Sequence, residues 1–287
     1  FSLITAALAL LWIKAGKTRA YRPDLMGLML VSLTLTALLL GMSLYASAFN
    51  KVVALSLVLA GVILALLYLK HYRQHASPIL DLSVLYNPPM RFSVIIYHAI
   101  PGVFTGVNLL SIFFLQQVLG WSASKTGMMM VLYAAGAFCA MMMCGRLYNR
   151  TGAAPLFRIG LLLHAAGIAL LALVGTTHDL PVLIIAYLLM GTGGGIGANT
   201  AQTTAMLDFA DERLARASTI WNLNRQMSFS IGAALFTLIA NLLQQQTTMT
   251  SAYHYTFLIA AGLGLLPLLR LKHLIQQPES LCRQKKS

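Results

Sequence analysis

The chain has 287 residues, of which 58% are hydrophobic and only 9% are charged. A soluble domain carries roughly 25% charged residues, so this composition excludes an ordinary water-soluble enzyme or binding domain. The formal net charge of +13 raises the question of a nucleic-acid partner, which the positions of the basic residues answer.

Long uncharged stretches divide the chain into predicted membrane spans. A helix that crosses a bilayer needs about 18–20 apolar residues, and eight segments reach that length. A ninth apolar segment, residues 1–13, begins without Met and ends at Lys14, so we expect it to be the end of a span whose beginning is missing. It has no basic start and no small-residue cleavage pattern, so it does not resemble a signal peptide. In chain order the predicted spans are 1–13 (partial), 25–46, 52–69, 92–118, 126–145, 156–176, 181–206, 217–243 and 256–271.

The basic residues alternate between the two sides of the membrane. When each Lys and Arg is assigned to its loop, 18 of the 20 fall on the side that also holds the C-terminus. Only Lys51 and Lys125 fall on the other side. This asymmetry is the positive-inside pattern, and it predicts a multi-pass inner (plasma) membrane protein with a cytoplasmic C-terminus. The charge therefore needs no nucleic acid to explain it.

The segment GTGGGIGA (191–198) offers a nucleotide-binding loop as an alternative. Gly193, Gly195 and Ala198 match the relaxed dinucleotide fingerprint G-x-G-x-x-G/A. That fingerprint needs a parallel sheet around it, whereas the neighbours here are membrane spans. Small residues four positions apart on a membrane helix instead let two helix backbones approach closely. We therefore predict a helix-packing role for four glycines: Gly191, Gly193, Gly195 and Gly197.

A proline-containing linker separates the first two complete spans from a block of six. The linker KHYRQHASPILDLSVLYNPPMR (70–91) contains Pro78 and the pair Pro88-Pro89, which we expect to interrupt helix. Six spans behind such a linker suggest one bundle of a two-bundle transporter.

Four segments carry a resemblance to a known family. The stretch 119–173, which begins LGWSASKTGMMM, resembles the C-terminal half of a Major Facilitator Superfamily protein, in particular the 14-span drug:proton antiporters of the EmrB/QacA type. The other three are RPDLMGLML (22–30), SPILDLSVLYNPPMRFSV (77–94) and NRQMSFSIGAAL (224–235).

The resemblance covers essentially the whole chain and implies an all-α polytopic membrane protein with the Major Facilitator Superfamily fold. The chain would then comprise a C-terminal six-helix bundle, two linker spans and the end of a preceding span. The implied regions are 1–13 (end of an N-terminal-half helix), 14–91 (two extra transmembrane helices and the cytoplasmic linker), 92–271 (the six-helix transporter bundle) and 272–287 (a cytoplasmic basic tail).

The cytoplasmic signature of the superfamily, roughly Gly-x-x-x-Asp-Arg-x-Gly-Arg, is altered here to GRLYNRTGA (145–153). Gly145, Arg150 and Gly152 match it, whereas Asn149 replaces the acid and Ala153 the second basic residue. In the family this loop ties neighbouring helices together in one conformational state, so Asn149 implies a weaker electrostatic latch. We retain Gly145, Asn149, Arg150 and Gly152 as residues of the conformational motif.

Polar side chains inside the spans are candidates for a substrate cavity, because they are costly in lipid. Each has a plainer alternative: interhelical hydrogen bonding for the amides, and anchoring to lipid phosphates for Arg225. His98 and His164, the two histidines well inside spans, leave a proton relay or a packing role open. The cavity candidates are Asn108, Gln116, Asn199, Gln202, Asn222 and Arg225.

The seven acidic residues all fall in loops or at span ends. A proton-driven antiporter needs a carboxylate whose pKa can be shifted by burial, and the resemblance assigns that group to the missing N-terminal half. We therefore read Asp24 as a helix cap and interface anchor. Cys139, Cys144 and Cys282 offer no paired extracellular framework, so we expect free thiols.

The function implied by the resemblance is secondary active transport across the bacterial inner membrane. The protein would export amphipathic drugs or metabolites in exchange for protons by alternating access. We expect no enzymatic activity, no cofactor and no metal site. The expected partners are an amphipathic small molecule, protons and the lipid bilayer, with a periplasmic adaptor protein as a further candidate. Two alternatives stay open: an inactive or regulatory half-transporter, and a membrane-embedded transferase, which would need a cluster of His, Asp or Glu near one membrane face.

Overall fold

The computed structural model describes residues 24–46, 50–75, 78–176 and 178–271. Within these ranges eight helices are long and apolar enough to cross a membrane, which confirms the eight full spans expected from the sequence. The predicted partial span 1–13 and the basic tail 272–287 lie outside the described residues. In chain order the helices are α1 (Leu25–Ala46), α2 (Lys51–Gln74), α3 (Pro88–Val118), α4 (Ala123–Thr151), α5 (Ala153–Leu171), α6 (Leu180–Met206), α7 (Asp211–Gln244) and α8 (Met249–Leu265, followed by the 3-10 turn Leu266–Arg270).

Helix α3 begins at the proline pair that we expected to interrupt helix. Pro88 lies in the first turn, where the N–H that proline lacks would have no partner within the helix. Asn87 caps this end, since its Oδ1 accepts a hydrogen bond of 2.9 Å from the Met90 N–H. The prolines therefore start the span, at Pro88 instead of the predicted residue 92.

Helix α4 continues through the conformational motif that we had treated as a loop. The sequence of α4 before Gly152 contains no proline, and Gly152 ends the helix because its φ of 75° lies in the left-handed region that favours glycine. Gly145, Asn149 and Arg150 therefore lie on the last turns of α4, and Gly152 forms the junction with α5.

Two turns of α3 are wider than an ordinary α-helix. They are π-helical segments at His98–Gly102 and Phe114–Val118. The first contains Pro101, which cannot donate a backbone hydrogen bond, so the local widening accommodates it. The Thr105 hydroxyl donates to the Pro101 carbonyl at 2.8 Å. Such turns re-aim side chains and are frequent at functional sites.

Helix α6 packs closely against both α4 and α5. Its glycines permit this approach: a Cβ built on Gly193 would lie 2.6 Å from the carbonyl oxygen of Gly160, whereas ordinary contact begins at 3.4 Å. A side chain there would push the helices apart. The nearest neighbours of a built Cβ are Tyr133 of α4 for Gly191, His164 and Gly160 of α5 for Gly193, Ala137 of α4 for Gly195, and Ile100 of α3 for Gly197.

The remaining helices surround this group. Helices α1 and α2 form a hairpin whose first helix packs against α7, while α7 also packs against α3, and α8 contacts α5, α7 and α3. Two buried apolar clusters fill the bundle. One surrounds Phe114, Tyr187 and Phe257, and the other surrounds Ile96 and Phe157. The second cluster also includes residues of α1, α2 and the linker, so the hairpin is part of the same packed structure.

Candidate functional site

Aromatic side chains join α3 to α7 around Arg225. Tyr97 of α3 meets Trp221 edge to face, with ring centroids 4.9 Å apart, and lies 6.1 Å from the ring of Phe229. Arg225 lies on the same stretch of α7, four residues from both Trp221 and Phe229. Its Nη2 donates to Oδ1 of Asn222 at 2.9 Å. Arg225 is half-buried on the stretch of α7 that carries Trp221 and Phe229, so a positive charge and aromatic side chains occur together on this helix.

A second aromatic contact joins α3 to α4 next to the glycines of α6. The rings of Phe104 and Tyr133 stack with centroids 3.8 Å apart and an angle of 10° between their planes. The Tyr133 hydroxyl lies 2.7 Å from the Cβ that a side chain on Gly194 would have. The glycine therefore makes room for this ring where α3, α4 and α6 meet.

The six predicted cavity residues lie on three helices: Asn108 and Gln116 on α3, Asn199 and Gln202 on α6, and Asn222 and Arg225 on α7. Within the described ranges, hydrogen bonds join Asn222 to Arg225 and no other pair of the six. Asn222 also lines a groove of about 310 Å³ between α1, the linker and α7. Asn108, Gln116 and Asn199 are half-buried, whereas Gln202 and Asn222 are exposed.

Several buried polar atoms on α3 and α7 have no hydrogen-bond partner among the described residues. They include Oδ1 of Asn108, Nε1 of Trp221 and Nδ2 of Asn224. A buried donor or acceptor without a partner costs about 1–3 kcal/mol. A water molecule or a polar ligand group bound at these atoms would remove that cost.

A cavity of about 500 Å³ lies between α3, α7 and α8, and none of the six predicted residues lines it. Its walls are mainly apolar, with His98, Ser228 and Arg270 as the polar side chains that sequence reasoning did not assign to a cavity. Nε2 of His98 contacts Oδ1 of Asn224 at 3.1 Å, so this histidine takes part in an interhelical hydrogen bond. His164 is buried on α5, and its Nε2 has no partner among the described residues.

The conformational motif makes fewer contacts than its neighbours on α4. Asn149 and Arg150 are exposed, and their side chains form no hydrogen bond or ion pair within the described part of the chain. Tyr148 and Cys144 instead join α4 to α6. The Tyr148 hydroxyl lies 3.0 Å from Oγ1 of Thr204, and the Cys144 sulfur lies 3.2 Å from Oγ1 of Thr200. Cys139 and Cys144 are free thiols, and Cys282 lies outside the described residues.

Asp24 makes contacts that sequence reasoning did not foresee. The predicted helix cap is present, because Oδ1 accepts a hydrogen bond of 2.8 Å from the Gly27 N–H. The same buried carboxylate also contacts Nε2 of His71 at 2.8 Å and accepts from the Ile79 N–H at 3.3 Å. Burial would raise the pKa of Asp24, but the hydrogen bonds from Gly27, His71 and Ile79 outweigh it and hold the pKa below its ordinary value.

The rest of the linker is tied to the junction between α6 and α7. Asp81 caps the 3-10 turn Leu82–Tyr86 and forms an ion pair of 3.1 Å with Arg216 of α7. Burial opposes ionisation, but hydrogen bonds from Ser83 and Arg216 lower the pKa of Asp81. Asn87 donates to Oδ2 of Asp208 at 2.8 Å. The sequence indicates Asp81 and Asn87 as helix caps. It does not indicate their contacts with Arg216 and Asp208, which are 135 and 121 residues away in the chain.

Eight membrane-length helices define the chain as a multi-pass membrane protein. A model of the Major Facilitator Superfamily matches residues 94–281, and the chain therefore belongs to this superfamily. The match covers the six-helix block α3–α8 and leaves α1 and α2 outside it.

Proteins with related sequences are named as transporters or drug-resistance proteins. The chain is 30% identical over 223 residues to a multidrug resistance protein B homolog of Mycobacterium tuberculosis (strain ATCC 25618 / H37Rv), covering 75% of this chain and 41% of the relative. It is 25% identical over 250 residues to the probable transport protein HsrA of Haemophilus influenzae, covering 85% and 54%. It is 24% identical over 287 residues to the putative multidrug resistance protein MdtD of Enterobacter sp. (strain 638), covering 93% and 58%. The chain thus spans about half the length of the curated relatives it matches.

Proposed function

We propose that this chain is the C-terminal part of a 14-span drug:proton antiporter of the bacterial inner membrane. In this proposal residues 1–13 end a helix of the N-terminal half, 14–91 add two helices and the linker, and 92–271 form the C-terminal bundle. Residues 272–287 would form a cytoplasmic tail, in agreement with the basic residues on that side. Superfamily membership and the names of the relatives support the proposal.

The observation that carries the proposal is the aromatic and basic surface shared by α3 and α7. Phe229 is partly exposed and would meet the apolar part of an amphipathic compound, while the buried rings of Tyr97 and Trp221 join α3 to α7 behind it. Arg225 supplies a fixed positive charge for an anionic group of that compound or for a carboxylate of the other bundle. We propose that this surface forms half of the substrate pathway, to which Asn108, Gln116, Asn199, Gln202 and Asn222 add hydrogen-bonding groups.

Alternating access would use the packing described above. The close contacts of α6 with α4 and α5 keep these three helices together as one body. The wide turns of α3 allow that helix to bend beside Tyr97. We propose that Gly145, Asn149, Arg150 and Gly152, at the end of α4, meet the other bundle in one of the two states. Proton coupling would come from a carboxylate of that bundle, and a periplasmic adaptor would be a partner of the complete protein.

The test begins with the coding DNA upstream of Phe1. We expect an open frame that encodes five further spans, the start of a sixth and an intramembrane Asp or Glu. The complete protein, expressed in a bacterial host that lacks its own major efflux pumps, should lower ethidium accumulation, and a protonophore should restore it. A stop codon followed by a start codon immediately before the codon for Phe1 would favour the half-transporter alternative. A full-length protein that leaves the accumulation of several cationic and anionic dyes unchanged would contradict drug efflux.

A further inference from the structure

Three side chains converge where α1 begins and α2 ends. They are Asp24, His71 and His75, and one potential ligand atom of each lies within 4.8 Å of the other two. Oδ1 of Asp24 and Nε2 of His71 are 2.8 Å apart, and the rings of His71 and His75 stack with centroids 4.9 Å apart. We propose that this cluster binds a divalent transition-metal ion of the zinc type.

The donor set fits such an ion. Zinc binds imidazole nitrogen and carboxylate oxygen at about 2.0–2.2 Å, and a tetrahedral site then sets two ligand atoms roughly 3.4 Å apart. The observed separation of 2.8 Å between Asp24 and His71 therefore needs only a small adjustment. His71 lies in the last turn of α2 and His75 directly follows the helix, where its backbone N–H donates to the His71 carbonyl and its ring stacks on the His71 ring. His75 is exposed, which gives an ion access from solvent and leaves a fourth position for water.

The carboxylate of Asp24 is already held in place by backbone donors. It is 4% exposed, Oδ1 accepts from the Gly27 N–H at 2.8 Å, and Oδ2 accepts from the Ile79 N–H at 3.3 Å. Hydrogen bonds of this kind orient metal-binding carboxylates and are an ordinary part of metal sites. The binding geometry would therefore be largely formed before the ion arrives.

The neighbouring cations of α2 lie on another side of the helix. Lys70 and Arg73 line a groove together with Leu66, Leu69 and Gln74. His71 instead faces Asp24, one turn beyond Tyr68, whose hydroxyl bonds to the backbone of Leu80. A bound dication would thus lie next to the buried carboxylate of Asp24. The charges of Lys70 and Arg73 lie on a different side of α2.

The sequence alone predicts no metal site, because Asp24 and His71 are 47 residues apart and only the fold brings them together. A bound ion would join the start of α1, the end of α2 and, through the Ile79 N–H, the linker. This inference is independent of the proposed transport activity, since none of its three residues lies on the α3–α7 surface. A His–Asp cluster at a span end is also what the transferase alternative required, but membership of the superfamily favours a structural role here.

The test is zinc binding by the complete chain, purified in detergent with a tag that contains no histidine. Competition with a fluorescent zinc chelator should give one tight site per chain. His71→Ala, His75→Ala and Asp24→Asn should each weaken binding at least about tenfold. His178→Ala removes another exposed histidine and is the matched control, which should bind as the wild type does.

Two of these substitutions are expected to leave the fold intact, so that a loss of zinc binding is not caused by unfolding. Asn is as good a helix cap as Asp, so Asp24→Asn keeps the cap of α1, and His75 is exposed. Cobalt gives a second measurement, because Co²⁺ in a site of nitrogen and oxygen ligands shows visible absorption bands that should disappear in His75→Ala. Two results would overturn the inference: a wild-type protein without competition and without cobalt bands, or a His71→Ala/His75→Ala double variant that binds zinc as tightly as the wild type.

Discussion

The contact between α5 and α6 leads to a quantitative prediction for Gly193→Ala. The new Cβ would lie 2.6 Å from the carbonyl oxygen of Gly160, and ordinary contact begins at 3.4 Å, so the helices must separate locally by at least about 0.8 Å. The backbone nitrogen of His164 would be closer still. Overpacking of this kind costs about 1–3 kcal/mol. At about 2–4 °C per kcal/mol for a chain of this size, the midpoint of thermal unfolding should fall by roughly 2–12 °C.

The assay is intrinsic tryptophan fluorescence during heating of the detergent-solubilised protein, since Trp121 and Trp221 are both buried. Gly262→Ala on α8 is the matched control, because a Cβ there would meet no atom within 4 Å. This control should leave the midpoint unchanged or raise it slightly, since alanine restricts the unfolded chain. If Gly193→Ala unfolds at the same temperature as Gly262→Ala, then the glycines of α6 do not determine how closely these helices pack.

Further predictions concern two charged groups of α7. Arg225→Ala should reduce dye export by the full-length protein without lowering its amount in the membrane, and unchanged export would assign Arg225 an anchoring role instead. The ion pair between Asp81 and Arg216 should give a coupling of about 0.2–1 kcal/mol in a double-mutant cycle of thermal stability, because Arg216 is largely exposed. The lowered pKa of Asp81 means that its ionised form stabilises the fold at pH values above its ordinary pKa of 3.8, and that this contribution is lost as the pH falls through the lowered value. Asp81→Asn should therefore be less stable than the wild type at pH 7, and the difference should shrink below about pH 4; a difference that is independent of pH would contradict the assigned ionisation.

The spans of this protein were predictable because the membrane imposes a strong and local requirement on sequence. Each span needs a long uncharged stretch, and all eight complete stretches are helices in the structure. The predicted and observed bounds differ at the start of α3 and at the end of α4, where capping residues and backbone conformation determine the helix ends. Pro88 starts α3 because a first-turn proline loses no hydrogen bond, and α4 ends after Thr151 because the next residue, Gly152, adopts a left-handed φ.

The site was less predictable, because its contacts join residues that are distant in sequence. Helical spacing could place Asn222 and Arg225 on one face, and the structure joins them by a hydrogen bond. It could not reveal that Tyr97 of α3 lies against Trp221 of α7, or that Asp24 meets His71. Membership of the superfamily predicts which helices form a bundle. Which side chains meet across helices depends on how each individual sequence packs.

The central claim is that the α3–α7 surface lines the pathway of an exported compound, and cysteine accessibility tests it directly. In the full-length protein with its native cysteines replaced, Asn108→Cys on α3 is compared with Leu59→Cys, which is 61% exposed on α2, the outer helix of the hairpin. The claim predicts that a water-soluble thiol reagent modifies the Asn108→Cys variant, that ethidium slows this reaction, and that the Leu59→Cys variant, facing lipid, does not react. An unreactive Asn108→Cys variant, or a reaction that ethidium leaves unchanged, would contradict it.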